Sequence, residues 1–261
     1  MPAVAPSAPA AADPVGRVLA AVAGYAPARG LDPGAVRRAC GRDARCAGAR
    51  IAAALGEDAR VQRSAHPDTD TIRWARTRPS VRAARRLEDG RRLVVLDRFG
   101  RKVEPELAAA LATPGGEGAS RGVVLDLRGN EGGDFGRMLR VAGALIGPRP
   151  GALFLHGRGG ATPVDLAAGG VGVAQRVTVL VGPRTASSAE VLAALLRRHV
   201  AAEVLGERTA GKDHLTRVVP LDHDWRLLLP AERIEVPGET LAGGLVPDRP
   251  VPAALLAALA P

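Results

Sequence analysis

The sequence predicts an α/β domain with a mostly parallel sheet and flanking helices, preceded by a small helical N-terminal segment. Two observations carry this. In the second half, apolar runs of strand length such as GVVLDL and VTVLVG alternate with stretches whose apolar residues recur at helical spacing. In the first 60 residues only helical spacing is present. A third observation fixes the kind of core: the chain is 46% hydrophobic but only 2% aromatic, so Ala, Val and Leu must fill it.

The elements follow in order. Residues 1–13, MPAVAPSAPAAAD, are Pro/Ala-rich, with no basic start and no apolar core of a signal peptide. They read as a disordered leader, so the protein is cytoplasmic or its signal lay before this numbering. Residues 14–60 are a helical segment: PVGRVLAAVAGYA opens with Pro14, and AVRRACGRDARCAGARIAAALG makes one helix or two. Residues 61–90 are an Arg-rich connection in which TIRWAR and VRAARRLEDG are candidate short strands, with a hairpin signal at Asp89-Gly90.

The core domain spans residues 91–261. Arg92–Asp97 is a strand, Glu104–Ala112 a short helix whose carboxylates suit a first turn, and ATPGGEGASRG a flexible loop. GVVLDLRGN is a buried strand and turn, and EGGDFGRMLRVAGALIG a glycine-opened helix. GALFLHGRGG holds a strand, followed by a loose Gly/Ala-rich loop to Gly172. VTVLVG, PRTASSAE and VLAALLRRHV form strand, turn and helix. AAEVLGERTAGK is a further strand and turn, RVVPL, WRLLLP and ERIEV are three short strands, and LVPDRPVPAALLAALA is a Pro-rich turn and a closing helix.

Charge narrows the function. The net charge is +9, and 34 of the 36 basic residues are arginine; the lysines are Lys102 and Lys212. An arginine-biased composition accounts for the basicity. Nucleic-acid binding would need a basic stripe interleaved with stacking aromatics, and neither is present, so no nucleic-acid partner is expected. No apolar run reaches the ~18 residues of a membrane span. Cys40 and Cys46 are either a disulfide or two buried thiols, with no metal pattern beside them.

Two stretches carry chemistry. Ser187 lies at a strand-to-helix turn, where backbone N–H groups and the positive end of the macrodipole favour an oxyanion. A serine hydroxyl needs a base. None of His66, His156, His199, His214 and His223 stands in a pattern that predicts approach to Ser187. Arginine does not deprotonate, whereas a desolvated lysine can. Lys212 follows a Thr-Ala-Gly turn in a chain that otherwise avoids lysine, so an amine held in a dry pocket is expected there. The second stretch is DLRGNEGG (126–133), whose paired glycines let a backbone N–H approach a ligand closely. It has no Gly-Lys-Ser/Thr and no GxGxxG, so it is not a phosphate loop.

In order and separation, DLRGNEGG, TASSAE, GERTAGK and GGLVPD resemble the C-terminal processing (tail-specific) serine proteases. The resemblance covers about residues 90–252. It implies a crotonase-like α/β core and a Ser–Lys dyad with no metal or cofactor. The serine three before Glu190 is Ser187, the implied nucleophile, and the lysine 22 residues after Glu190 is Lys212, the implied general base. The N–H groups of Ser188 and of Gly132 or Gly133 would form the oxyanion hole. The family often places Gln four residues after the lysine to support its amine; here Thr216 stands there. Many members carry a PDZ domain of roughly 80–100 residues before the core, and residues 61–90 are too few for one.

The implied function is endopeptidase cleavage of extended or poorly folded polypeptide in the periplasm or another exported location. The rival is a non-catalytic member that binds a peptide or partner protein. A third reading, an acyl-CoA enzyme of the wider fold, would not need Ser187 paired with Lys212. The oligomeric state stays open, a homo-oligomer included.

Overall fold

The computed structural model describes residues 13–23, 31–56, 59–63, 78–112, 121–157, 159–169 and 176–252. Most of the expected leader, the TIRWAR strand, the 113–120 loop, residues 170–175 and the closing helix lie outside them. The chain divides into two compact units. The first comprises 1–67, 157–159 and 215–232, and the second 68–156, 160–214 and 233–261.

In the first unit, α1 (Pro14–Ala23), α2 (Pro33–Cys40) and α3 (Ala44–Leu55) pack with β1 (Arg60–Arg63) and most of β9 (His214–Pro220) and β10 (Trp225–Glu235). The stretch left open as one helix or two is two. Gly41 takes a φ of 55°, and the Asp43 carboxylate caps the next helix by accepting from the N–H groups of Arg45 and Cys46. Val15, Val18, Val22, Val36 and Ile51 of the helices share one buried core with Leu221, Leu227 and Leu229. Residues 215–232 therefore complete the helical unit, although they lie far beyond it in the sequence. Gly48 makes the fit close, because a Cβ there would lie 2.7 Å from Leu221 Cδ1. Trp225 covers part of the same core, with the Arg45 guanidinium 5.5 Å from its ring centre.

Cys40 and Cys46 are disulfide-bonded across the α2–α3 turn. Closing so short a loop restricts the unfolded chain by about 2 kcal/mol. Reduction, or Cys40→Ser, is expected to lower the melting temperature of this unit, as read by circular dichroism with and without reductant.

In the second unit a six-stranded sheet runs in the order β11-β8-β7-β4-β3-β2. Its strands are β2 (Val81–Arg86), β3 (Arg92–Leu96), β4 (Val123–Asp126), β7 (Val177–Val181), β8 (Glu203–Gly206) and β11 (Arg249–Pro250). From β3 to β11 every neighbour is parallel; only β2 is antiparallel, joined to β3 through the turn at Gly90. The central β4 and β7 are buried along their whole length, which is why they read as unbroken apolar runs. Three helices accompany the sheet: α4 (Val103–Leu111), α5 (Phe135–Ile146) and α6 (Ser188–Val200).

Also in this unit, β5 (Arg149–Gly157) and β6 (Gly160–Leu166) are neighbours, and Phe154–His156 of β5 pair with Arg233–Glu235 of β10. WRLLLP and ERIEV, expected as two strands, are thus one. Pro230 is tolerated because it falls between the register with β1 (225–228) and the register with β5 (233–235), where its missing N–H breaks no ladder bond of either. Among the described residues no helix is long and apolar enough to cross a membrane.

Candidate active site

The site candidates gather at the carboxyl ends of β4 and β7, where open parallel sheets commonly bind ligands. After β4, Asp126 and Arg128 form a two-pronged ion pair at 2.9 and 2.7 Å. Its hydrogen bonds raise the Arg128 guanidinium above its ordinary pKa. Asn130 is fully buried. Its Nδ2 donates to Leu96 O (3.0 Å), its Oδ1 accepts from Gly132 N–H (2.8 Å) and its backbone O accepts from Ala186 N–H (3.0 Å). One residue thus joins β3, the paired glycines and the serine turn.

The two glycines are not equivalent. Gly132 is buried at φ 101°, its N–H already donated to Asn130, and a Cβ there would lie 3.1 Å from Ser187 Cβ. Gly133 is exposed at φ 142°, and its N–H has no acceptor among the described residues. Ser188 N–H likewise has none. The Ser188 hydroxyl, 2% exposed, donates to Gly133 O at 3.1 Å and so ties the two segments together.

After β7 the chain turns at Pro183-Arg184. The buried Thr185 hydroxyl donates to Leu127 O (2.9 Å) and accepts from Gly182 N–H (3.0 Å), locking the turn to the end of β4. Ser187 follows at φ 56°, ψ −124°. With Ala201 it is one of two described non-glycine residues with positive φ. A non-glycine residue in such a region costs about 1–3 kcal/mol, and the same strained strand-to-helix turn is how nucleophile elbows expose a serine hydroxyl. Ser187 itself is half-buried.

Glu190 carried no role in the sequence beyond marking the count to Ser187 and Lys212. Its carboxylate is fully buried. Oε2 accepts from the N–H of Ser187 and from the N–H of Lys212, both at 2.8 Å. Oε1 accepts from Gly211 N–H at 2.7 Å and from the Thr209 hydroxyl. Four donors and the first turn of α6 compensate the buried charge. One side chain therefore holds the Ser187 backbone against the Lys212 backbone. The available signal was an acidic residue at the third position of a helix, opposite a Thr-x-Gly-Lys turn.

The GGLVPD stretch backs the same turn. Leu245 N–H donates to Thr209 Oγ1 at 2.7 Å, and Thr209 N–H to Leu245 O at 3.2 Å. Gly244 has φ 98°, and a Cβ there would lie 2.3 Å from Thr209 O. Gly244→Ala must displace Thr209, and with it a Glu190 partner; melting is expected about 5 °C lower. Arg197 of α6 binds Glu239 and, at 3.2 Å, Asp248, whose other oxygen takes Val204 N–H at 2.8 Å.

The structure differs from expectation at the lysine: the Lys212 side chain is exposed rather than held dry. Its backbone is fixed, but it stands in an irregular stretch, 207–213, in which Thr209 and Asp213 are the buried residues. Thr216 lies four residues on, exposed on β9. Of the histidines, His214 Nδ1 pairs with Asp213 Oδ1 at 2.6 Å, and His199 approaches Ala152 O at 3.3 Å.

Known proteins resemble this chain in sequence and in fold. A family model described as Peptidase family S41 matches residues 93–251. Carboxyl-terminal-processing peptidase 2, chloroplastic, of Arabidopsis thaliana is 29% identical over 162 residues, 61% of this chain and 31% of the relative. A photosystem II D1 C-terminal processing protease superposes with a TM-score of 0.57 at 23% identity, over 77% of this chain and 50% of that one. A lipoprotein from Streptococcus agalactiae superposes with a TM-score of 0.69 at 15% identity, over 98% of this chain and 97% of that one. The chain spans about a third of the curated relative's length and half of the D1 protease's. With the family model covering more than half of its residues, including every motif that builds the site, the chain belongs to peptidase family S41.

Proposed function

We propose that this chain is a serine endopeptidase acting on extended polypeptide, with Ser187 as nucleophile and Lys212 as general base. The observation that carries the reading is the strained Ser187 turn, set beside two backbone N–H groups without acceptors among the described residues. In the proposed reaction, neutral Lys212 Nζ takes the Ser187 hydroxyl proton as Oγ attacks the scissile carbonyl carbon. The N–H groups of Ser188 and Gly133 receive the oxyanion; Gly133 is favoured over Gly132 because the Gly132 N–H is spent on Asn130. The protonated lysine then gives its proton to the departing amine. Water, deprotonated by Lys212, hydrolyses the acyl-enzyme and restores both side chains. No metal or cofactor takes part.

An exposed Lys212 fits this scheme if substrate supplies the cover. An extended peptide added beside the Gly133 segment would exclude water from the amine. The disulfide supports an oxidising, exported location.

The second reading, a non-catalytic peptide-binding member, is favoured by one observation, the same exposed lysine. Incubation with an unfolded protein such as reduced casein separates the two. The peptidase reading expects new peptide termini that disappear with Ser187→Ala. Binding of the intact polypeptide with no cleavage by the wild type supports the second reading instead.

A further inference from the structure

Beside the serine turn lies a cavity of about 290 Å³ that the proposed chemistry does not use. It opens at the carboxyl ends of β4 and β7, and its walls include Arg82, Arg128, Arg184, Gly129, Asp126 and Glu207. Three arginines thus line one small space. Of the two carboxylates there, Asp126 is already engaged by the Arg128 fork. Arg82 and Arg184 are held by carboxylates outside the wall: Arg82 Nε lies 3.0 Å from Asp97, and Arg184 Nε and Nη2 lie 3.1 and 2.7 Å from Glu131. Their remaining N–H groups have no partner among the described residues and keep the fork geometry that suits a carboxylate.

Chain connectivity places this cavity near the chemistry. Arg184 precedes Ser187 by three residues, so their Cα atoms are at most about 10 Å apart. An extended substrate advances about 3.3 Å per residue, so that separation matches the span of about three substrate residues.

We propose that this cavity is a specificity subsite for an acidic side chain of the substrate near the cleaved bond, bound by Arg82 and Arg184. The inference rests on the peptidase reading above and adds a substrate class to it. That carboxylate belongs to an Asp or Glu side chain of the substrate.

Peptides are compared in pairs that differ only as Glu against Gln at each of the three positions on either side of the cleaved bond. The expected result is a preference of about tenfold in kcat/KM for Glu over Gln at one position. Arg82→Gln and Arg184→Gln should each move that ratio toward one, and Glu207→Gln should raise it. Arg82 and Arg184 have side chains 51% and 71% exposed, so folding should survive, as melting curves would verify. Equal rates at every position, or ratios unmoved by all three substitutions, overturn the subsite and leave the peptidase reading standing. No cleavage of any peptide, with Ser187 unreactive to a serine-directed probe, overturns both.

Discussion

Lys212→Arg and Ser187→Ala should each lower kcat on an unfolded protein substrate by several orders of magnitude, on the order of 10⁵-fold where the dyad acts as a unit. Arginine keeps the positive charge and the length but cannot give up its proton, so it tests the base without removing the cation. Because the two residues would act in one proton transfer, the double variant should be little worse than either single variant. KM should change far less than kcat, since neither side chain is asked to bind substrate. Lys212 is exposed and its backbone is held by Glu190, so Lys212→Arg should melt with the wild type. Retained activity in that variant would remove lysine from the base role and reopen the histidines.

Glu190→Gln is the second large effect, and it acts without touching substrate. The carboxylate accepts from Ser187 N–H, Lys212 N–H, Gly211 N–H and the Thr209 hydroxyl in a fully buried place. A glutamine amide turns one acceptor atom into a donor and sets it against two of those donors. Losing two charge-assisted bonds and leaving their donors buried costs about 3–5 kcal/mol. For a chain of this size that is about 10 °C in melting temperature. Turnover should fall by about 10²-fold or more in the molecules that remain folded, because the Ser187 turn and the Lys212 backbone lose their common anchor. A melting temperature within 2 °C of wild type, on the same scale, would mean the buried carboxylate is not the clamp described.

How much of this was legible in the sequence depended on how local each signal is. β4 and β7 were readable because a parallel strand buried on both faces is a short apolar run whatever its neighbours. The Ser187 turn was readable for the same local reason: a strand, a break at Pro183 and an amphipathic helix. The Asp43 cap that divides α2 from α3 was also present as Gly41-Arg42-Asp43, but the helical spacing on either side masked it. Residues 215–232 were misgrouped because their partners in the helical core are distant in sequence, and alternation cannot say which core a strand serves.

At the site, the family resemblance singled out Ser187 and Lys212, while composition marked the lysine only as rare. The difference between Gly132 and Gly133 was not legible. It depends on where Asn130 points, which only the fold decides. Glu190 was hidden by a general expectation, that a glutamate in a first helical turn faces water and the dipole. Here it faces inward, to four donors from two loops.

The central claim is that Ser187 is a nucleophile activated by Lys212. A fluorophosphonate probe followed by mass spectrometry of the intact and digested protein tests it most directly. The account predicts one adduct per chain, on Ser187, forming in the wild type and slowed by orders of magnitude in folded Lys212→Arg. An adduct on Ser188 or elsewhere, or a folded wild-type chain that stays unmodified at Ser187 while polypeptide is being cleaved, would contradict it.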